Sequence, residues 1–269
     1  VNVLTLPVSE VKNLMGYSRK QLSKAIDSKR IEEIPPITVE IKFSMHRRII
    51  ECYNVIGLIQ GESDRMIALS AHYDHLGKRE EEYYPGADDN ASGVAALLEL
   101  AELFADRTDL RHSIQFVAFA AEEEGLFGST HHVNRPDFVK EQVVCNVNMD
   151  MIARTDEDHA DDDPYLYSLG STIFESLHPL LQRADSLYND CYFDYSLNSS
   201  EGLFFLYEMT DNGNYYEKGI PALLFISGTH PDYHRPSDTA DKINYKLLEN
   251  RVRQIALVVE LLQQEGVSE

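Results

Sequence analysis

Apolar residues recur along this chain with two distinct periods. Four runs are nearly continuous: "RMIALSAHYD" (65–74), "SIQFVAFAAEEE" (113–124), "QVVCNVNMDMI" (142–152) and "IPALLFISGT" (220–229). Runs of this length, rich in β-branched and aromatic residues, predict strands buried on both faces. Between and after them the period changes. "SGVAALLELAELFADR" (92–107) predicts a helix with Val94, Leu97, Leu98, Ala101 and Phe104 on one side. Helices are also predicted near "LFGSTHHVN" (126–134), over "TIFESLHPLLQRADS" (172–186), and over "YKLLENRVRQIALVVELLQQ" (245–264) with Leu248, Val252, Ile255, Val259 and Leu262 inward. Buried strands alternating with amphipathic helices predict an α/β sandwich: a largely parallel sheet with helices on both faces.

The amino-terminal part reads differently. Residues 9–27 predict a polar helix opened by Ser9, the Pro-marked "EEIPPI" a break, and "ITVEIKFSM" (37–45) and "IIECYNVIGLIQG" (49–61) a pair of strands. Residues 1–35 are therefore expected to be a helical segment, the remnant of a neighbouring module, ahead of the main domain over 36–269. The chain begins at Val1 without a charged-then-apolar leader, as expected of a processed or trimmed chain.

Composition narrows the function. No apolar stretch approaches bilayer length, so no membrane span is expected. A formal charge of −21 repels phosphates and excludes nucleic acid as a partner. Cys52, Cys145 and Cys191 are widely spaced with no CxxC pair, which disfavours a thiolate zinc site; two of them in strand-like stretches read as buried thiols. The acidic run 156–163 reads as a solvated loop, lacking the Gly and terminal Glu of an EF-hand.

The chemistry lies where the strands end. His72 and Asp74 follow the first strand, Glu122 and Glu123 the second, Asp150 the third, and His234 lies in the loop after the fourth. In open α/β sheets that edge binds ligands, and charged groups at buried strand ends are costly unless paired. Asp74, two residues beyond His72, could fix its tautomer through its carboxylate. Asp88 and Asp89 precede a helix; capping explains one of them. His131 and His132 read as structural helix residues, and nothing in the spacing of His75 or His230 calls for a metal. Two His with several carboxylates and no Cys suit one or two divalent cations, zinc by its His content, manganese or cobalt for an oxygen-rich site. In an adjacent Glu pair, one carboxylate binds metal while the other takes a proton from the attacking water. HExxH, GxSxG and P-loop signatures are absent.

Five blocks in order, "SAHYDHLG", "PGADDNASGVAALLE", "AAEEEGLFGS", "NVNMDMI" and "DYHRPSDTADKI", resemble the co-catalytic di-zinc aminopeptidases of the secreted bacterial type, relatives of glutaminyl cyclases and of the peptidase-like domains of glutamate carboxypeptidase and the transferrin receptor. The resemblance spans roughly residues 50–265 and implies a zinc-exopeptidase-like fold with a mixed sheet, peptide substrates, and a secreted or periplasmic location. It implies two zinc ions, one on His72 and Asp150, the other on Glu123 and His234, bridged by Asp89 ahead of a cis peptide to Asn90. Glu122 would be the general base, Asp74 would orient His72, and Tyr233 would help stabilise the oxyanion. A glutaminyl-cyclase-like acyltransferase is the alternative, as is a carboxypeptidase or dipeptidase using Arg154 or Arg235 for the substrate carboxylate; a non-catalytic binding module fits the retained base poorly. Asn212 stands where many relatives carry His, so specificity is expected to differ there.

Overall fold

The computed structural model describes residues 16–18, 20–21, 23–24, 49–159, 163–198 and 200–265. Residues 1–50 and 51–269 are two compact units. In the first, residues 20–21 and 23–24 are helical, and the Ser18 hydroxyl donates to Gln21 Oε1 at 2.7 Å. Residues 16–18, within the predicted helix 9–27, are not helical, with Gly16 at φ 69°; the remainder of that predicted helix, the predicted strand at 37–45 and the boundary near residue 35 lie outside the described residues.

In the second unit the elements run β1 (Val55–Ile59), β2 (Ser63–His72), β3 (Gly77–Arg79), β4 (Glu82–Tyr84), α1 (Gly93–Ala105), β5 (His112–Phe119), α2 (Phe127–Asn134), β6 (Val143–Met149), β7 (Tyr165–Leu169), α3 (His178–Leu187), β8 (Tyr192–Asp194), α4 (Ser200–Met209), α5 (Asn212–Glu217), β9 (Ala222–Ile226) and α6 (Tyr245–Glu265). The main sheet has the order β1-β5-β2-β6-β9-β7-β8, and β3 with β4 forms a separate hairpin. β5, β2, β6 and β9 are mutually parallel, while β1 and β7 join antiparallel. The four predicted strands are thus the four central neighbours, and the sheet is mixed and largely parallel.

Alternation along the strands divides the core into two layers. Ile67, Leu69, Ile114, Val147 and Phe225 pack against α1, α3 and α6. Ala68, Val117, Phe119 and Leu224 pack on the opposite face with Val133 of α2, Tyr207 of α4 and Tyr215 of α5. Among the described residues, no helix is long and apolar enough to cross a membrane.

Several expectations change in detail. On α1 the inward stripe is Ala96, Leu97, Leu100 and Phe104, while Leu98 is 66 % exposed. Both stripes satisfy helical spacing, and packing on the sheet selects the one with the small Ala96 at the contact. Cys145 and Cys191 are buried, but Cys52 is exposed ahead of β1. The acidic run is partly tied down: Asp156 accepts from the Tyr167 hydroxyl at 2.8 Å, and His159 stands between Asp156 and Asp194.

Candidate metal centre

One face of the molecule's chemistry follows from the parallel order of β2, β5, β6 and β9, because parallel neighbours end on the same sheet edge. His72 is the last residue of β2 and is 1 % exposed. Its Nδ1–H donates to the backbone carbonyl of Asp74 at 3.0 Å, and a carbonyl can only accept. That contact directs Nε2 to Asp89 Oδ1 and Asp150 Oδ1, each 3.4 Å away. Burial alone would lower the His72 pKa, but the Asp150 carboxylate raises it well above the usual imidazole range.

Asp89 faces a second cluster with its other oxygen. Oδ2 lies 3.1 Å from His234 Nε2 and 3.6 Å from His75 Nδ1. Glu123 completes this side, with Oε1 2.7 Å from His75 Nδ1 and Oε2 3.3 Å from His234 Nε2. Two ligand-bearing groups therefore share Asp89: His72, Asp89 and Asp150, and His75, Asp89 and Glu123, each with donor atoms within 4.8 Å of one another. Burial would raise the Asp89 carboxyl, yet His234 and His72 hold it well below the carboxylate range. At Asp150 burial prevails over His72 and the pKa rises. Glu122 is pushed up to about 9, first by burial and then by Asp150. Tyr233 stacks on His234 with ring centroids 3.8 Å apart, and its hydroxyl is held protonated by burial and by the Asp89 charge.

A metal fits these residues on the donors' own terms. Asp89 Oδ2, Glu123 Oε1 and both ring nitrogens of His75 are buried without hydrogen-bond partners, although they face one another. Imidazole nitrogens and carboxylate oxygens with no thiolate are a donor set for zinc, and also for manganese or cobalt.

The loop holding Asp89 is laced on both sides. The backbone N–H groups of Asp88 and Asp89 donate to the Asp238 carboxylate at 3.1–3.2 Å. The Asp88 carboxylate does not cap α1. It accepts from Ala153 N–H at 2.7 Å and lies 3.2 Å from His230 Nε2. Asn90 donates to the Met149 carbonyl and accepts from Met151 and Gly93 N–H groups. A Cβ at Gly93 would collide with the Met149 carbonyl and Asn90, so this approach of loop to strand requires glycine. The Asp89–Asn90 peptide is cis.

His72, Asp89, Glu123, Asp150 and His234 come together at this edge, with Glu122 and Tyr233 beside them. Asp74 acts differently from expectation: its carboxylate is 3.8 Å from His72 Nδ1 and instead accepts the Glu122 and Glu123 N–H groups at 3.1 and 3.3 Å. It holds the turn that aims both glutamates, while its backbone orients the ring. His75 and His230 are drawn in as well, against Glu123 and Asp88, contrary to their spacing. The signal was position alone, since each lies within four residues of a ligand candidate. His131 is exposed and His132 sits among Phe119, Phe138 and Tyr215, its pKa lowered to about 4 by burial. Asn212 is fully buried, with Oδ1 accepting from the Thr210 hydroxyl at 2.7 Å, so it offers a substrate no exposed surface. Arg154 is engaged by Asp232 at 3.1 Å.

Residues 54–259 match the model of peptidase family M28. The chain is 31 % identical over 206 residues to an uncharacterised Escherichia coli protein, YfbL, covering 67 % of this chain and 62 % of that one. It is 28 % identical to aminopeptidase YwaD of Bacillus subtilis, covering 73 % of this chain and 41 % of the relative. In structure it is similar to the aminopeptidase LapA of Legionella pneumophila, with a TM-score of 0.65, 24 % identity, and 79 % and 57 % of the two chains covered. The chain spans 41–62 % of the length of these two sequence relatives.

Proposed function

The chain belongs to peptidase family M28, and from that premise we propose that it is a metal-dependent exopeptidase releasing N-terminal residues from peptides. Two zinc ions, when bound, supply the Lewis acidity that polarises the scissile carbonyl. His72 and Asp150 would hold one, Glu123 and His234 the other, with Asp89 serving both; manganese or cobalt would suit the same donors.

The chain's own groups do the rest. Glu122 accepts the proton of the attacking water and returns it to the leaving amine; burial and Asp150 raise its proton affinity, and the positive charge of bound metal would lower it again toward the ionised form that a base needs. Asp74 fixes Glu122 and Glu123 through their backbone N–H groups. His75 lies 2.7 Å from Glu123 Oε1, while Oε2 faces His234 at 3.3 Å. The neutral Tyr233 hydroxyl donates to the developing oxyanion. Surplus carboxylates around the cleft attract the free ammonium of a peptide's first residue.

The observation that carries this reading is the pair of donor clusters sharing Asp89, with Glu122 alongside. A glutaminyl-cyclase-like reaction would need one metal, and the double cluster favours the hydrolase. The test is a mass-spectrometric time course of zinc-loaded protein on peptides with a free, an acetylated, or a Gln N-terminus. Stepwise loss of first residues from free amines only is expected. Glu122→Gln should cut turnover roughly 10²–10⁴-fold, the range for a general base, with zinc content unchanged. Ammonia loss from the Gln peptide would replace the peptidase with the cyclase, and trimming from the carboxyl end with a carboxypeptidase.

A further inference from the structure

The turn that carries Glu122 and Glu123 joins β5 to α2 over residues 120–126, and its backbone is not one that its residues favour. Ala121 and Leu126 stand at φ 57° and 59°, in the left-handed region that residues with a Cβ rarely adopt. The turn closes on itself through three hydrogen bonds. Gly125 and Leu126 N–H groups donate to the Glu122 carbonyl, each at 2.9 Å, and Phe127 N–H donates to that of Ala121 at 3.0 Å. Asp74 grips the turn from the β2 side through the Glu122 and Glu123 N–H groups.

A second grip comes from Asn54, the half-buried residue just ahead of β1. Its Oδ1 accepts from Ala120 N–H at 3.1 Å, and its Nδ2 donates to the Gly128 carbonyl at 2.8 Å. One planar amide thus ties the residue where the turn begins to the first turn of α2, where it ends. An amide supplies a donor and an acceptor side by side, whereas a carboxylate supplies acceptors only. Glycine at 128 permits the approach, because a Cβ there would collide with the Ala120 carbonyl and with Asn54 Oδ1. Asn54 is held in its turn. Val55 pairs with Ala118 in the antiparallel register, and the Tyr73 hydroxyl, between His72 and Asp74, donates to the Tyr53 carbonyl at 2.8 Å. The entry to β1 is therefore fastened to the ends of both β2 and β5, the strands that lead into His72 and the two glutamates.

On the reading of the site as a peptidase centre, we infer that Asn54 is a positioning residue for the reaction, clamping the two ends of the 120–128 segment so that Glu122 meets the attacking water and Glu123 meets the metal. It acts through the backbone of the turn. With the clamp removed, the left-handed residues at 121 and 126 are free to relax, and the glutamates between them move as they do. The far end of β5 provides the comparison. Gln263 of α6 clasps His112, the first residue of that strand, in the same bidentate manner: Oε1 accepts its N–H at 2.8 Å and Nε2 donates to its carbonyl at 2.9 Å.

The experiment compares wild type, Asn54→Ala, Asn54→Asp and Gln263→Ala by turnover of a free-amine peptide, zinc titration of the metal-free protein, amide hydrogen exchange and urea unfolding. Asn54→Ala should lower kcat by roughly ten- to a hundredfold, the effect of a small misplacement of a reacting group, with KM nearly unchanged. It should also weaken the zinc site that uses Glu123 by roughly tenfold or more, and leave the other as it is. Asn54→Asp keeps the shape and the acceptor for Ala120 but loses the donor to Gly128. It should fall in the same direction, and it carries the test if the alanine variant does not fold. In both variants the N–H groups of residues 122–127 should exchange faster while those of β6 keep their protection. Gln263→Ala should lower the urea midpoint but keep kcat, zinc affinity and the exchange of 122–127. Equal losses of kcat in the Asn54 and Gln263 variants, or Asn54 variants with wild-type kcat and zinc affinity, would overturn the assignment. If wild type hydrolyses no peptide, the peptidase reading falls, and zinc titration and exchange decide the clamp. A change confined to residues 122–127 and one zinc site would then sustain it, and unchanged values in the Asn54 variants would overturn it.

Discussion

Asp211 holds a carboxyl group at 0 % exposure just ahead of α5, where neither of its oxygens finds a hydrogen-bond partner among the described residues. Burial raises its pKa to about 7, against opposition from His72. The folded protein thus binds this proton more tightly than the unfolded chain does. Its contribution to stability is fully present below about pH 4 and is lost as pH rises through about 7, a change of about 4 kcal/mol. Asp211→Asn removes the penalty while keeping the shape. Its urea midpoint should exceed that of wild type by little at pH 4 and by the full amount at pH 8; parallel curves would show that Asp211 is ionised without cost. Asp211 illustrates what single residues conceal in a sequence. His72, Glu123 and Asp150 were legible because each ends or closely follows a strand that is plainly apolar, so its charge stands out; Asp89, in the turn before α1, and His234, beyond β9, were legible through the resemblance. Asp211 and His75 lie in polar stretches where another acid or imidazole attracts no notice, and only the chain's return through space buries them. Asp74 was legible as a member of the site, but the atom it uses was not.

At the scale of elements, α6 shows how a helix face meets more than one demand. Leu248 and Val252, expected inward, are half-buried, whereas Arg251 and Gln254 are fully buried. Arg251 Nε donates to the Tyr165 carbonyl at 2.8 Å, and Nη1 donates to those of Ile152 and Arg154 at 3.0 and 2.7 Å. These carbonyls lie at the start of β7 and in the segment after Asp150, where no strand partner supplies a donor. Arg251→Met should therefore cost about 3 kcal/mol or more, as three buried acceptors lose their donors, read as a lower urea midpoint with unchanged m. A loss below 1 kcal/mol would mean that water replaces the guanidinium. Periodicity registers apolarity and not unmet hydrogen bonds, which is why it found the helix but not its innermost residue. β7 and β8 escaped for a related reason. They are short and rich in tyrosine beside an acidic run, and Tyr165 is buried only because its hydroxyl reaches the Ser227 carbonyl at 2.5 Å.

For the molecule as a whole, the four central strands and their helices were legible because their patterns are long and regular; the irregular 87–92 turn and the hairpin depend on contacts with distant chain. The site concentrates Asp89, Glu122, Glu123 and Asp150 at one sheet edge, so cations should stabilise the fold. Chelation should lower the melting temperature, and zinc at about a hundredfold over its Kd should restore roughly 2.7 kcal/mol; identical melting curves with and without chelator would show that the donors bind no ion. The hydrogen bonds from the N–H groups of Asp88 and Asp89 to Asp238 bridge 150 and 149 positions of sequence. During synthesis the chain therefore emerges with its acidic residues in place but with neither His234 nor the aspartate that fastens the 88–89 turn. β9 is also still to come, and with it the last of the four central strands. A half-made polypeptide cannot assemble this centre, so the full set of donors comes together late in translation and reports that the domain has been finished.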